Sequence, residues 1–267
     1  MTHSPIHGND LGSPQHSSDS FPSLVQGRSN RDLDATTRAV VRDAFTTNPS
    51  LRVLSIDSID MLFNAGRLRN WHDGERLCET GGQCNDIFVV ISGAIELSRT
   101  NALGVRAVVV FVRPGEIINF IPAVDGRGAM HDQFAHGPTT VFHIPRHALL
   151  AQIASDPALL HGVFDLICVR SRFLYAQLNK IALSGFRARV ADQLLTLANW
   201  YGRETAHGIE LAIRVSQEDL ASLLGASRQS VNKELRELVR QQVIDARYSR
   251  YTIVNIEALR AIARHDS

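Results

Sequence analysis

The sequence contains few cysteines and almost no net charge. Its three cysteines, Cys78, Cys84 and Cys168, are too few and too irregularly spaced for the disulfide framework of a small secreted domain. A formal net charge of +1 means that any nucleic-acid binding must come from a local basic surface. No apolar run reaches the roughly 18–20 residues that cross a bilayer, and residues 1–30 contain no apolar signal core. We therefore expect a cytoplasmic protein with no membrane partner.

Motifs of the common enzyme classes are also missing from the sequence. There is no nucleophile elbow, phosphate-binding loop, metal constellation or suitably placed carboxylate pair. Four histidines lack the regular spacing of a zinc site: His131, His136, His143 and His147. We predict that the protein is not an enzyme and that it uses no cofactor or metal. Cys78 and Cys84 fit two interpretations, a redox-sensing disulfide or two ordinary buried or turn thiols, and the sequence leaves both open.

The central part of the chain has the pattern of a β-rich domain. Short apolar runs at 68–71, 87–91, 95–97, 105–112 and 141–144 are separated by Asp73-Gly74, Gly81-Gly82, Ser92-Gly93, Pro114-Gly115 and Asp125-Gly126. This spacing predicts an antiparallel β-sandwich or barrel. The run 108–112 is continuously apolar, which predicts a strand buried on both faces. Two helices are expected in front of it, over 32–45 and 58–64, the second ending at Gly66 as its C′ glycine.

A long helix is predicted to begin with Asp156 as N-cap and Pro157 at its first position, and to end at Ser184-Gly185. Apolar residues recur along it at alternating spacings of four and three, as in a heptad seam. The seam consists of Leu160, Phe164, Ile167, Ser171, Leu174, Leu178 and Ile181. It is either a core face packed on the β domain or a coiled-coil contact between two identical chains. The position between two domains favours the dimer. A further helix is expected over 186–201.

The C-terminal part contains the most informative pattern. Ser216 and Asp219 form the S-x-x-D start of a short helix, Gly225 suits a tight turn, and Ser227 caps a second helix. The second helix presents a polar outer face made of Ser227, Arg228, Gln229, Ser230, Asn232, Lys233 and Arg236. Strands expected at 243–246 and 251–254 form a hairpin wing with Arg247 and Arg250 near its tip. A recognition helix and a phosphate-contacting wing have this layout, which predicts sequence-specific DNA binding. The alternative is a charged, solvated helix that serves protein contacts.

These residues resemble the winged helix of the Crp–Fnr family of bacterial transcription regulators, through Leu220-Ala-x-Leu-Leu-Gly225 followed by Ser227-Arg-x-x-Val231. Phe88-Val-Val-Ile-Ser-Gly93 and Pro114-Gly115-Glu116 resemble the family's effector domain, so the similarity covers nearly everything after about residue 50. The resemblance implies an α+β fold with an N-terminal antiparallel β-roll of the cyclic-nucleotide-binding type, a long dimerisation helix and a C-terminal winged helix-turn-helix. It also implies a homodimer on a pseudo-palindromic operator in double-stranded DNA, with RNA polymerase as a partner if the protein is an activator.

The sequence departs from the family at the positions that read DNA. The usual pattern there is Arg-Glu-x-x-x-Arg, whereas this chain has Arg228-Gln229 with Asn232-Lys233. Glu accepts a hydrogen bond from cytosine, whereas Gln both donates and accepts and favours adenine. We therefore predict a half-site that differs from that of the cyclic-AMP receptor branch.

The effector domain departs from the family as well. Relatives that bind cyclic nucleotides hold the ribose with a Glu and the cyclic phosphate with an Arg followed by Ser or Thr. Phe120 stands where the Glu is expected, and Ala129-Met130 stands where Arg-Ser is expected. Arg127 is either a solvated turn residue or a cation that rescues phosphate binding. The candidate effector pocket consists of Phe120, Arg127, Met130 and His131. The alternative function is a cyclic nucleotide or cyclic dinucleotide sensor in which the ligand controls DNA binding.

The sequence thus predicts four parts. These are a disordered tail over 1–31, an effector β-roll domain with flanking helices over 32–155, a dimerisation helix over 156–183 and a DNA-binding domain over 184–267.

Overall fold

The structure is a computed structural model that describes residues 35–104 and 106–265. The predicted tail over 1–31 therefore lies outside the described residues. The first half of the chain forms a β-roll with helices on either side. Its elements are α1 (Ala35–Thr46), α2 (Ile56–Ala65), β1 (Arg67–Trp71), β2 (Arg76–Cys78), β3 (Asp86–Thr100), β4 (Arg106–Val112), β5 (Ile117–Ile118), α3 (Phe120–Asp125), β6 (Asp132–Pro145) and α4 (Arg146–Ser155).

The second half begins with the long helix α5 (Pro157–Leu183), at whose start the Asp156 carboxylate accepts a hydrogen bond from the backbone N–H of Ala158 at 2.9 Å. The predicted N-cap is therefore confirmed. The remaining elements are α6 (Phe186–Tyr201), β7 (Gly202–Thr205), β8 (Gly208–Leu211), α7 (Gln217–Leu224), α8 (Arg228–Arg240), β9 (Ile244–Arg247), β10 (Arg250–Ile253) and α9 (Ile256–His265). The predicted α+β class is confirmed.

Two antiparallel sheets organise the two halves. The larger has the strand order β1-β6-β3-β4, with β2 paired to β6 and β5 paired to β3. The smaller has the order β7-β8-β10-β9. The predicted wing strands β9 and β10 therefore belong to a four-stranded sheet, in which a second hairpin, β7–β8, pairs with β10. The sequence analysis did not predict this second hairpin. None of the helices in the described part of the chain is long and apolar enough to cross a membrane.

Ser92-Gly93 does not separate two strands, as the sequence analysis expected. The segments at 87–91 and 95–97 belong to the single strand β3, whose pairing with β6 shifts register on both sides of Ser92. Gly93 has a φ of +78°, and a Cβ there would lie 2.4 Å from the carbonyl oxygen of Pro138. A glycine with positive φ inside a strand produces a bulge that bends the strand while its pairing continues beyond it.

Two further expectations about buried positions are wrong. Within the apolar run 108–112, Val108 is buried but Val109 is 48% exposed, because β4 lies at the edge of the sheet and buries mainly one face. Gly66 follows α2 but has φ −86°, so it does not use the left-handed conformation of a C′ glycine. A Cβ on Gly66 would lie 2.4 Å from the Phe142 ring, so close packing requires this glycine.

The two halves share one hydrophobic core. Ala94, Val108 and Phe111 of the β-roll are buried in the same cluster as residues of the C-terminal half such as Leu220 and Leu224. The helix α7 packs against β4, and the Nε2 of His136 lies 2.6 Å from the carbonyl oxygen of Arg214. The β-roll therefore directly contacts the first helix of the helix-turn-helix and the segment before it.

Candidate nucleic-acid interface

Side-chain caps fix the start of both helices of the helix-turn-helix. The Ser216 hydroxyl accepts a hydrogen bond from the backbone N–H of Asp219 at 3.0 Å, and the Asp219 carboxylate accepts one from the backbone N–H of Ser216 at 2.8 Å. Gly225 adopts φ +58° at the end of α7, which allows the tight turn into α8. The Ser227 hydroxyl accepts a hydrogen bond from the backbone N–H of Ser230 at 3.1 Å. Capping box, turn glycine and second cap are all as predicted.

Helix α8 separates an apolar inner face from a polar outer face. Val231, Leu235 and Leu238 are buried in the core of the C-terminal half. The structure brings the predicted DNA-contacting residues of this helix to the opposite side. Ser227, Arg228, Gln229, Ser230, Lys233 and Arg236 are exposed, and Asn232 is half-buried. The side-chain hydroxyls of Ser227 and Ser230 lie 2.9 Å apart, so they contribute to the cap as well as to the surface.

Helix α8 carries an excess of positive charge between Arg228 and Arg236. Arg228, Lys233 and Arg236 lie there, with Glu234 as the acidic residue among them. At the C-terminal end, the Arg240 guanidinium donates a 2.8 Å hydrogen bond to Glu237, and this contact lowers the pKa of Glu237 to about 2. Arg240 and Glu237 therefore neutralise each other, which leaves the excess positive charge on the part of the helix before Glu237.

The wing places two cations beside this surface. Arg247 is the last residue of β9, and Arg250 is the first residue of its partner strand β10. Both side chains are more than half exposed. Their ion pairs with Asp245 at 3.2 Å and Glu210 at 3.5 Å are solvent-exposed, so each contributes little stability and can be exchanged for phosphate. The predicted cations at the wing are therefore available at its surface.

The tip of the wing is an aromatic residue, Tyr248, which was not among the predicted site residues. Tyr248 is fully exposed, and it has a φ of +47° next to Ser249 at +63°. Two successive left-handed residues form the tight turn that matches strand twist, and the pattern Arg-Tyr-Ser-Arg lacks the Gly or Asn that usually reveals it. Between this tip, the N-terminus of α7 and Arg228 lies an open groove of about 330 Å³. Ser216, which caps α7, and Gln217, its first residue, also line this groove.

Most of the predicted dimer seam lies on the surface of α5. Leu160, Phe164, Leu174 and Leu178 are 52–66% exposed, and Ser171 is exposed. The side chain of Ile181 lies outside the described part of the structure. Ile167 differs from the expectation because it is half-buried and packs on the core formed by the β-roll and its helices. The exposed apolar surface is wider than the seam, since Val169, Phe173, Tyr175 and Leu183 are 48–76% exposed.

The four candidate effector residues differ in how far they are buried. Phe120 is buried in the core that β3 and β6 share with the flanking helices, whereas Arg127 and Met130 are exposed. His131 is half-buried, and burial lowers its pKa, with the positive charge of Arg99 acting in the same direction. Asn119, in the left-handed conformation at φ +72°, directly precedes Phe120 and the start of α3.

Comparison with known proteins agrees with this architecture. A model of the cyclic nucleotide-binding domain matches residues 68–156, and a model of the Crp-like helix-turn-helix domain matches residues 188–262. The chain belongs to the Crp–Fnr family. It is 27% identical over 210 residues to the HTH-type transcriptional regulator Cmr of Mycobacterium tuberculosis. The alignment covers 78% of this chain and 81% of that protein.

Two further matches are a curated relative and a solved structure. The cyclic AMP receptor protein of Thermus thermophilus is 24% identical over 197 residues, covering 74% of this chain and 88% of that protein. The structure of FixK2 from Bradyrhizobium japonicum superposes with a TM-score of 0.66 at 17% identity, covering 76% of this chain and 99% of that one, which shows a shared fold. The chain is therefore a Crp–Fnr transcription regulator with a helix-turn-helix DNA-binding domain and a cyclic nucleotide-binding-type domain.

Proposed function

We propose that this regulator is a homodimer that binds a specific, pseudo-palindromic operator in double-stranded DNA. The observation that carries the proposal is the exposed polar face of α8, with Arg228, Gln229 and Lys233 on the side away from the core and the wing cations beside it. Side chains on the N-terminal turns of such a helix reach base edges, while wing cations contact phosphates. We infer the division of the chain at about 155 and 183 from the same layout.

The dimer part of the proposal rests on α5. Four seam residues and their apolar neighbours are exposed in the single chain, and apolar surface of this extent is rare on soluble monomers unless it is an interaction site. A parallel contact between two copies of α5 covers this surface. It also places two α8 helices about a two-fold axis, which requires operator half-sites about one helical turn, roughly 34–36 Å, apart.

The proposed base preference follows from the reading residues. Arg228 and Lys233 suit guanine O6 and N7 or phosphate, and Gln229 suits adenine N6 and N7. Each well-formed pair discriminates against a wrong base by about 1–3 kcal/mol. Because Gln229 occupies the position of the usual glutamate, we infer a half-site unlike that of the cyclic-AMP receptor branch.

We infer that the effector domain does not hold a cyclic nucleotide in the way its relatives do. Losing one charge-assisted hydrogen bond to a phosphate costs on the order of 1.5–3 kcal/mol, and both expected contact residues are replaced. The match to a cyclic nucleotide-binding domain and the relative named cyclic AMP receptor protein favour the second candidate function, a cyclic nucleotide or dinucleotide sensor. Calorimetric titration with cyclic AMP, cyclic GMP and a cyclic dinucleotide distinguishes the two. Heat of binding at micromolar concentration supports the second candidate.

The DNA interface is tested by single substitutions measured on operator and on unrelated DNA. Arg228→Ala and Lys233→Ala should each weaken operator binding by about tenfold or more, because each removes a base-edge or phosphate contact worth about 1–3 kcal/mol. Arg260→Ala, an exposed arginine paired with Glu257 on α9, is the matched control and should leave binding unchanged. Native mass spectrometry should show the same dimer for all three variants. Full operator affinity in both reading-face variants would contradict the assignment of this face.

The same proposal assigns the other partners. We infer a cytoplasmic location, and contact with RNA polymerase if operator binding activates transcription.

A further inference from the structure

Two cysteines lie in contact at one edge of the β-roll. Cys78 is the last residue of β2, and Cys84 lies two residues before β3. Their sulfur atoms are 2.9 Å apart. Cys84 is buried, with 4% of its surface exposed, whereas Cys78 is half-buried and faces the solvent side of the pair. A disulfide bond is about 2.05 Å long, so the two sulfurs need to approach by less than about 1 Å to form one.

The surroundings of Cys84 favour its thiolate. The side-chain amide of Asn119, whose nitrogen lies 3.0 Å from the sulfur, donates a hydrogen bond to it, and a second hydrogen bond joins it to the Cys78 sulfur. The bond from Cys78 is the main cause that lowers the pKa of Cys84, and it raises the pKa of Cys78. A cysteine with a lowered pKa in contact with a thiol that keeps its proton is the arrangement in which the first sulfur attacks an oxidant and the second resolves the product.

The loop between the two cysteines holds the segment that carries Arg127, Met130 and His131. The backbone N–H of Gly81 donates to the carbonyl of Ala129 at 2.8 Å, and the N–H of Ala129 donates to the carbonyl of Gly82 at 2.9 Å. Contact is so close at Gly128, with φ +89°, that a Cβ there would lie 2.7 Å from the carbonyl oxygen of Gly81. Residues 79–83 therefore form a clasp on the segment 126–132.

Besides the clasp, two buried side-chain amides connect the cysteines to the neighbouring elements of the β-roll. The side chain of Asn119, besides its bond to Cys84, exchanges two hydrogen bonds with Gln133, at 2.6 Å and 3.1 Å. Both side chains are buried, and Gln133 pairs with Cys78 across the β2–β6 ladder. The two cysteines are thus connected to β6 through Cys78 and Gln133, and to the start of α3 through Cys84 and Asn119. A change at the sulfurs therefore reaches both elements.

We propose that Cys78 and Cys84 form a redox-sensing dithiol, which hydrogen peroxide converts into a disulfide that tightens the clasp on the segment 126–132. The Cys84 thiolate attacks one peroxide oxygen, the O–O bond breaks, and the products are the Cys84 sulfenic acid and hydroxide. Cys78 then attacks the Cys84 sulfur. The S–S bond forms, the S–O bond breaks, and the leaving hydroxyl takes the Cys78 proton as water. Two electrons pass from the two sulfurs to peroxide, and a thiol reductant reverses the change.

This site is independent of the DNA interface, so failure of operator binding leaves the inference standing. The first experiment treats reduced, full-length wild-type protein with hydrogen peroxide and maps its peptides without reduction. We expect one product, in which Cys78 and Cys84 are crosslinked and Cys168 remains a free thiol. In Cys78→Ser, a sulfenic acid at Cys84 should be trapped by dimedone. Cys168→Ser is the control and should form the same crosslink as the wild type.

The second experiment measures amide hydrogen exchange of the reduced and oxidised wild type. Closing the loop should slow exchange at Gly81 and Ala129 by about tenfold or more, because the disulfide removes open conformations of the clasp. Wild-type protein that keeps both thiols at peroxide levels that oxidise free cysteine would overturn the proposal, as would a crosslink to Cys168. Unchanged exchange at both amides in the crosslinked protein would overturn the coupling to the segment. These measurements need no variant that could misfold.

Discussion

Replacing two leucines of α5 with glutamate should separate the proposed dimer. Leu174 and Leu178 are 62% and 60% exposed in the single chain. Burying a whole leucine side chain contributes about 1.5–3 kcal/mol, so covering these exposed parts contributes roughly 1–2 kcal/mol each. A two-fold contact buries both leucines of both protomers, four side chains in all, which gives roughly 4–8 kcal/mol. The double variant should therefore dissociate at least about a thousandfold more readily, since each 1.4 kcal/mol is a factor of ten.

Sedimentation velocity over a concentration series measures this change. The matched control is Leu103→Glu, because Leu103 is 88% exposed in the turn between β3 and β4 and lies far from the seam in sequence. The control should keep the wild-type dissociation constant, and circular dichroism should show that all variants are folded. If the double variant still dimerises within tenfold of the wild type, the chains associate through another surface and the reasoning from α5 fails.

Three smaller changes test local features. Ser216→Ala removes the capping box and should lower the free energy of unfolding, measured with urea, by about 1 kcal/mol, while Ser222→Ala inside the same helix should cost less than half of that. Tyr248→Asn with Ser249→Gly should raise the melting temperature, because Asn and Gly adopt the left-handed conformation of these two positions with less steric strain, which stabilises the folded state by about 1–2 kcal/mol. A lower melting temperature would contradict the wing geometry. Burial lowers the pKa of His143 below its unfolded value, so the unfolded chain binds more protons. Acidification from pH 7.5 to 5.5 should therefore destabilise the wild type more than His143→Gln, and equal slopes would refute this assignment.

Local sequence patterns predicted the helix-turn-helix because the interactions that define it are local. The capping box of Ser216 and Asp219 and the turn at Gly225 join residues that are a few positions apart. The inner face of α8 follows directly from helical periodicity. The polar face that carries Arg228 and Lys233 is the remainder of the same helix, so its exposure follows from the burial of Val231 and Leu235.

Features set by distant contacts were not predictable in the same way. The bulge at Gly93 depends on Pro138 across the sheet, and the requirement for Gly66 depends on the Phe142 ring. Ile167 has the spacing of a seam residue, but the β-roll domain of the same chain packs against it. The contact between Cys78 and Cys84 is closed by a glycine-containing turn, whose geometry is not specified by cysteine spacing alone.

Operator recognition is measured by selecting bound sequences from random double-stranded DNA and then titrating salt on the selected site. We expect an enriched palindrome with half-site centres about 10–10.5 base pairs apart, different from the site selected by a cyclic AMP receptor in parallel. Affinity for it should fall steeply with salt and exceed that for unrelated DNA by about a thousandfold or more. Selection that returns no enriched sequence, or equal affinity for selected and unrelated DNA, would show that this regulator does not bind a specific operator.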